Sequence, residues 1–339
     1  MVFLSLFSSA VAADKQMVTD QLGFKVEVPQ RAERVVVLMH HALDVMLQLG
    51  AEQQIVGVLK QWNSVIPDVV KVMPRLKTIP TPGDLATVNV ESLIALKPDL
   101  VILTHYAPKA MRDQIIATGI PVVSVAMFKA EFEEASKLNP TLKDPEKAYT
   151  DGLQEAIRLI GQVTGRQKKA EELIEHTFKN RSLVTNRLGN LPPDKRVTCY
   201  MAYPQLNTMG TGKYAQVAMH RAGGRNVAEQ IDGYRPVSME QVLKWDPEVI
   251  FIQDRYESLV NEIYKGEAWQ PIRAVKNKHV YLCPPYVKPW GHSVPESVAL
   301  GEFWMAKKLY PEKFKDIDMQ KMADDFYRKF YGIPYEGYH

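Results

Sequence analysis

The chain has 339 residues, of which 46% are hydrophobic and 24% charged, with 42 Lys and Arg against 39 Asp and Glu. That length exceeds the roughly 250–300 residues over which one hydrophobic core usually grows, so two lobes are expected, and the composition excludes a disordered chain or a polytopic membrane protein. The net charge of +3 is scattered without a basic stripe, which excludes nucleic acid as an expected partner.

Residues 2–7 are apolar, and Ser8-Ser9-Ala10-Val11-Ala12-Ala13 supplies small residues in an A-x-A arrangement. The pattern predicts a signal peptide over 1–13, although the basic residue that usually precedes the apolar run is absent. No cysteine lies near the cleavage site to carry a lipid anchor, and no later apolar run reaches the ~20 residues that span a bilayer. A protein soluble in the periplasm after cleavage is expected.

Residues 34–38 (RVVVL) form a continuous β-branched run, as a strand covered on both faces requires, and 41–49 follow with apolar residues at helical spacing. Strands are predicted at 55–59, 100–103 and 122–125, with helices at 90–96 and 109–118 between them. The alternation implies a mainly parallel sheet covered by helices, a first α/β lobe over 14–146. Residues 147–188 hold no proline and keep a helical apolar pattern, so a connecting helix is predicted over 147–190, with a break allowed near Gly161–Gly165. Leu191-Pro192-Pro193 ends it. Strands at 197–201, 249–252 and 280–282 then build a second α/β lobe over 191–339. The predicted architecture is two Rossmann-like lobes joined by one long helix, and so stiff a joint allows only modest closure. Cys199 and Cys283, the only cysteines, sit in strand-like runs, and two buried thiols are expected although an oxidising compartment would permit a disulfide.

The most informative feature is an internal repeat. Residues 90–103 (VESLIALKPDLVIL) align without gaps on 239–252 (MEQVLKWDPEVIFI), so that Glu91 matches Glu240 and each is followed by apolar residues, a proline, an acid and a buried strand. The repeat and the long connecting helix resemble the single-helix class of periplasmic substrate-binding proteins that serve ABC importers of cobalamin, haem and iron-siderophores. The resemblance implies a permease dimer at the inner membrane as partner, onto whose arginines Glu91 and Glu240 would dock. Pro82-Gly83-Asp84-Leu85, residues 137–142 (KLNPTL) and Gln253-Asp254-Arg255-Tyr256 resemble more narrowly a molybdate- and tungstate-binding branch.

In α/β lobes ligands sit beyond the carboxyl ends of the strands. That position nominates His40 after the first strand, Trp62 after the second, Tyr106 after the third, and Tyr203, Arg255, Tyr286 and Trp290 in the second half. Lys213, in a glycine-rich turn, could close on an anion. His41, His105 and His292 rank lower, because adjacent residues such as His40 and His41 should diverge. Arg offers a planar fork of donors, His and Tyr oriented N–H and O–H groups, and Trp an apolar wall. No H-x-x-x-H or C-x-x-C spacing occurs, so direct metal ligation is not expected, with His40, His41 and His292 the residues to watch. Asp254 is the only acid of the strand-end set, which favours an anionic ligand, molybdate or tungstate, over a ferric-siderophore, haem or other metal chelate. No phosphate loop, nucleophile elbow or dinucleotide fingerprint occurs, so neither catalysis nor a resident cofactor is expected.

Overall fold

The computed structural model describes residues 14–336; the expected signal peptide over 1–13 lies outside them. The chain opens with an antiparallel hairpin, β1 (Lys15–Thr19) and β2 (Lys25–Pro29). The first sheet follows, with β3 (Val35–Leu38), β4 (Ile55–Val58), β5 (Leu100–Thr104) and β6 (Val122–Val125) in the order β4-β3-β5-β6, all parallel. β3, β5 and β6 are buried at every position, which is why their sequences read as mostly apolar runs, broken only by Thr104 and Ser124.

The second sheet is built from β7 (Val197–Ala202), β9 (Gly224–Asn226), β11 (Val249–Ile252) and β12 (Val280–Leu282), again parallel, in the order β12-β11-β7-β9. β8 (Asn207–Met209) and β10 (Tyr234–Pro236) form a separate antiparallel ribbon. β1, β2, β8, β9 and β10 carry no sequence signal used above, being short or polar. The other seven strands lie where the sequence places them.

The expected connecting helix is two helices, Pro145–Val163 and Gln167–Leu188, separated by a turn in which Gly165 has φ +68°. They fold back on one another: Arg158 pairs with Glu171, Gly161 lies against Ala170, and the Arg181 guanidinium donates to the Thr150 hydroxyl at 2.8 Å. Gly165 supplies the left-handed turn that a side chain would strain, and Gly161 has no room for a Cβ, which would approach Ala170 to 2.6 Å. The chain therefore crosses to the second sheet on the single helix Gln167–Leu188, about 33 Å at 1.5 Å per residue. That helix is anchored by Arg181, whose guanidinium donates to the buried Glu302 carboxylate, a group that also accepts from the Tyr214 hydroxyl at 3.0 Å.

The repeated helices are Val90–Ala95 and Met239–Trp245. Each begins on a side-chain cap, Asn89 accepting from the Ser92 N–H at 2.7 Å and Ser238 from the Gln241 N–H at 3.1 Å. Leu93 and Val242 are buried at matching positions, while Glu91 and Glu240 are exposed in the first turns. Cys199 and Cys283 are buried free thiols whose ionisation burial disfavours. Among the described residues no helix is long and apolar enough to cross a membrane.

Candidate functional site

β3 delivers His40 and His41 to the start of the helix His40–Gln48, β5 ends beside His105, and the loop after β12 carries Trp290 and His292. These come from both halves of the chain and meet. The His40 and His41 ring centroids are 4.0 Å apart, His41 lies 5.2 Å from His292, and His292 lies 4.9 Å from His105. Trp290 stands edge-on to His40 and His41, at 5.4 and 5.2 Å. The two adjacent histidines thus converge, against the expectation that they would diverge, because the first turn of the helix lets their rings lean toward Trp290. Tyr106 and Phe128 complete the wall, their rings stacked on His292 at 6.4 and 5.7 Å.

The histidine cluster is uncharged at neutral pH. Burial, reinforced by Arg255 and Lys288, holds His40 well below its usual value, and burial with the neighbouring rings does the same for His41 and His292. His105 falls to about 4, again chiefly through burial. A carbonyl fixes the tautomer: His105 Nδ1 lies 2.5 Å from the Ala135 oxygen, which only accepts, so Nδ1 carries the proton. His105 Nε2 is then an acceptor for His292 Nε2 at 3.4 Å. Both nitrogens of His41 and the Nδ1 atoms of His40 and His292 are buried with no hydrogen-bond partner among the described residues. Buried polar atoms are rarely left so, and among the described residues no carboxylate bonds to these rings.

Beside the histidines, Gln253 follows β11. With its amide oxygen turned to the donors, it accepts from Arg255 Nε at 3.1 Å and Nη2 at 2.6 Å and from the Trp290 indole N–H at 2.6 Å. Gln253 enters the sequence reading only as part of the Gln253-Asp254-Arg255-Tyr256 motif and is not nominated for the ligand, although it stands at the strand end that nominated Arg255. Arg255 remains exposed, with its guanidinium 5.8 Å from the Trp290 ring and no ion pair among the described residues.

The other nominated residues separate. Lys213 is buried, and its ammonium donates to the Leu138 carbonyl at 2.5 Å, tying the second half to the first; burial lowers its pKa to about 8. Tyr203 is buried with its hydroxyl donated to the Pro289 carbonyl at 2.6 Å, so it braces the loop that carries Trp290. Tyr286 packs on Tyr335, at 5.4 Å, in a hollow with Trp304 and Lys307 away from the histidines. Trp62 is half-buried against the apolar core and joins neither Trp290 nor the histidine rings.

A second polar cluster adjoins Trp290. The Lys288 ammonium, 5.2 Å from that ring, contacts Asp44 at 2.5 Å and also Glu296. The Tyr331 hydroxyl donates to Asp44 at 2.6 Å and accepts from Gln48 Nε2 at 2.8 Å. That hydroxyl has one proton for two carboxyl groups, Asp44 and Glu296, an arrangement that favours a proton held on one of them, Glu296, the carboxyl that burial pushes up. Burial pushes Glu296 up to about 8, with Asp44 adding to the shift and Lys288 opposing it. Burial opposes the charge on Lys288, but the two carboxyl groups outweigh it and raise its pKa. Lys288 also has a left-handed φ of 39°, a backbone strain this cluster holds in place. Nothing in the spacing of Asp44, Glu296 and Tyr331 foretells that they meet.

The profile of the periplasmic binding protein family matches residues 35–287. The molybdate-binding protein MolA of Haemophilus influenzae is 47% identical over 335 residues, covering 98% of this chain and 95% of that protein. A solved structure of that MolA bound to molybdate, the periplasmic binding protein of the ABC transporter HI1470/71, superposes with a TM-score of 0.92, covering 95% of this chain and 99% of that one. An ABC transporter substrate-binding lipoprotein of Bacillus subtilis, YvrC, is 24% identical and covers 88% of this chain and 87% of its own. Matched over most of its length by the family profile and over nearly all of it by MolA, the chain belongs to the periplasmic binding protein family.

Proposed function

We propose that this protein captures molybdate or tungstate in the periplasm and delivers it to the permease dimer of an ABC importer. The observation that carries the ligand reading is the histidine cluster: neutral rings with unpartnered buried nitrogens, no carboxylate against them, and the Arg255 guanidinium beside them. A tetrahedral oxyanion takes hydrogen bonds from neutral donors and a guanidinium, and a carboxylate there would repel it. The likeness to a molybdate-binding protein supports the same reading. His40, His41, Trp290 and Arg255 are the residues we assign to the anion, with Tyr106 closing the wall. Lys213 contributes positive potential and the tie to Leu138. The protein needs no resident cofactor, since the metal belongs to the cargo. Glu91 and Glu240, exposed at matching places on the two halves, are assigned to permease docking, where charge complementarity steers association.

Calorimetric titration with molybdate, tungstate, sulfate and a ferric siderophore tests the ligand. Saturable binding of both group-six oxyanions is expected, weakened by about 10- to 100-fold in Arg255→Ala, as loss of a hydrogen bond to a charged group implies. Binding of the siderophore with no response to either oxyanion would sink the reading.

A further inference from the structure

A partly open hollow of about 240 Å³ adjoins the histidine site through Trp290. Its walls are Val65, Val69 and Val72 of two short helices, Trp290 itself, and Tyr331 and Tyr335 of the C-terminal segment. That segment is held over the opening in part by an ion pair between Lys71 and Glu336 at 3.4 Å. The polar groups at its wall include Lys288, which is consumed by Asp44 and Glu296, and Asp254. The Asp254 Oδ1 atom is buried with no hydrogen-bond partner among the described residues. Burial raises the pKa of this carboxyl to about 6 against the opposing charges of Arg255 and Lys288, leaving it largely an acceptor at neutral pH.

Size and chemistry together restrict what fits. A dry engineered cavity of about 150 Å³ holds benzene, and sites for drug-sized ligands begin near 300 Å³, so the recess of this hollow seats one substituted ring and is too small to bury a porphyrin or a corrin. The apolar walls favour a neutral body. The free Asp254 oxygen favours an O–H donor and repels an anion, so the oxyanion stays among the histidines. We propose that the hollow is a second subsite of the cleft, taking a single neutral ring with a hydroxyl donor, of the phenol or catechol class, beside the oxyanion. This rests on the oxyanion reading above, and it makes the cargo an oxyanion accompanied by a small organic ring.

The test is calorimetric titration of the full chain with catechol alone, with molybdate alone and with the two premixed, repeated on two variants that fill the hollow without touching the histidines, Val65→Phe and Val72→Phe. Saturable 1:1 binding of catechol is expected. Both filled variants should lose at least about tenfold in catechol affinity, as steric exclusion worth 1.4 kcal/mol implies, with molybdate affinity unchanged; melting curves verify that they fold. Asp254→Leu should weaken phenol but not toluene, which lacks the donor. Premixed ligands binding tighter than either alone would place the ring on the oxyanion complex, and additive heats would mark a free ring; both support the subsite. If molybdate binds and catechol does not, or if catechol binds equally to both filled variants, the subsite is wrong while the oxyanion reading stands. If neither binds, both are wrong.

Discussion

Two buried polar clusters meet at Trp290, the four histidines and the group of Asp44, Lys288, Glu296 and Tyr331. In the second, the lysine is shared by two carboxyl groups and the tyrosine hydroxyl both donates and accepts, so charge is matched inside the cluster although the Gln48 Oε1 atom beside it has no hydrogen-bond partner among the described residues. In the first, buried nitrogens of His40, His41 and His292 have no hydrogen-bond partner among the described residues. The charge-matched cluster holds the two halves of the chain together, whereas the histidine cluster, uncharged and with several unpartnered nitrogens among the described residues, is the one we assign to the ligand. Burial acts on both, but it lowers the histidine pKa values and raises that of Glu296.

The largest expected effect breaks this contrast by substitution. Lys288→Met leaves the buried Asp44 carboxylate without a counter-charge, and removing one partner of a buried ion pair destabilises by about 3–5 kcal/mol. His41→Phe fills a similar volume and removes two unsatisfied atoms, so its stability should stay within about 1.5 kcal/mol of the parent while molybdate binding falls sharply. Urea midpoints at pH 7 with oxyanion titrations separate the two; equal destabilisation would make the histidine cluster a structural one.

A smaller effect lies in pH. The histidines have folded pKa values below the unfolded 6.5, so the unfolded chain binds more protons as pH falls below about 6.5, and their contribution to stability is lost on acidification. Glu296 runs oppositely: its folded value near 8 exceeds the unfolded 4.5, so the native chain binds the extra proton between these values, and stability falls as pH rises from about 4.5 to 8. Glu296→Gln should flatten the alkaline side of a plot of urea midpoint against pH and leave the acid side unchanged. An unchanged alkaline slope would contradict the protonated carboxyl.

The smallest effect on the isolated protein is expected from Glu91→Ala with Glu240→Ala. Each exposed carboxylate in a first helical turn contributes only about 0.3–1 kcal/mol, and neither approaches the histidines. Melting temperature and oxyanion affinity should barely move while uptake through the importer fails. Wild-type uptake by the double variant would remove these acids from docking.

Much of the fold was legible because both parallel sheets are covered on both faces. β3, β5 and β11 could be read from unbroken apolar runs, and the matching helices Val90–Ala95 and Met239–Trp245 from their repeat. Strand ends then nominated His40, Arg255 and Trp290, which do come together. The same rule also nominated Tyr203 and Tyr286, which point into packing, since a strand end fixes where a residue is and not which way its ring turns.

The sequence by itself determined two parallel sheets, a helical crossing and a pair of exposed acids, because periodicity and burial are local properties of strands and helices. Only the tertiary structure decided that residues 147–190 fold back at Gly165 before crossing, since a tolerated glycine and a left-handed turn look alike in one dimension. Only it brought Asp44 to Glu296 and His41 to His292, pairs separated by more than two hundred residues, where no spacing rule operates and the packing of the two halves sets which atoms are satisfied.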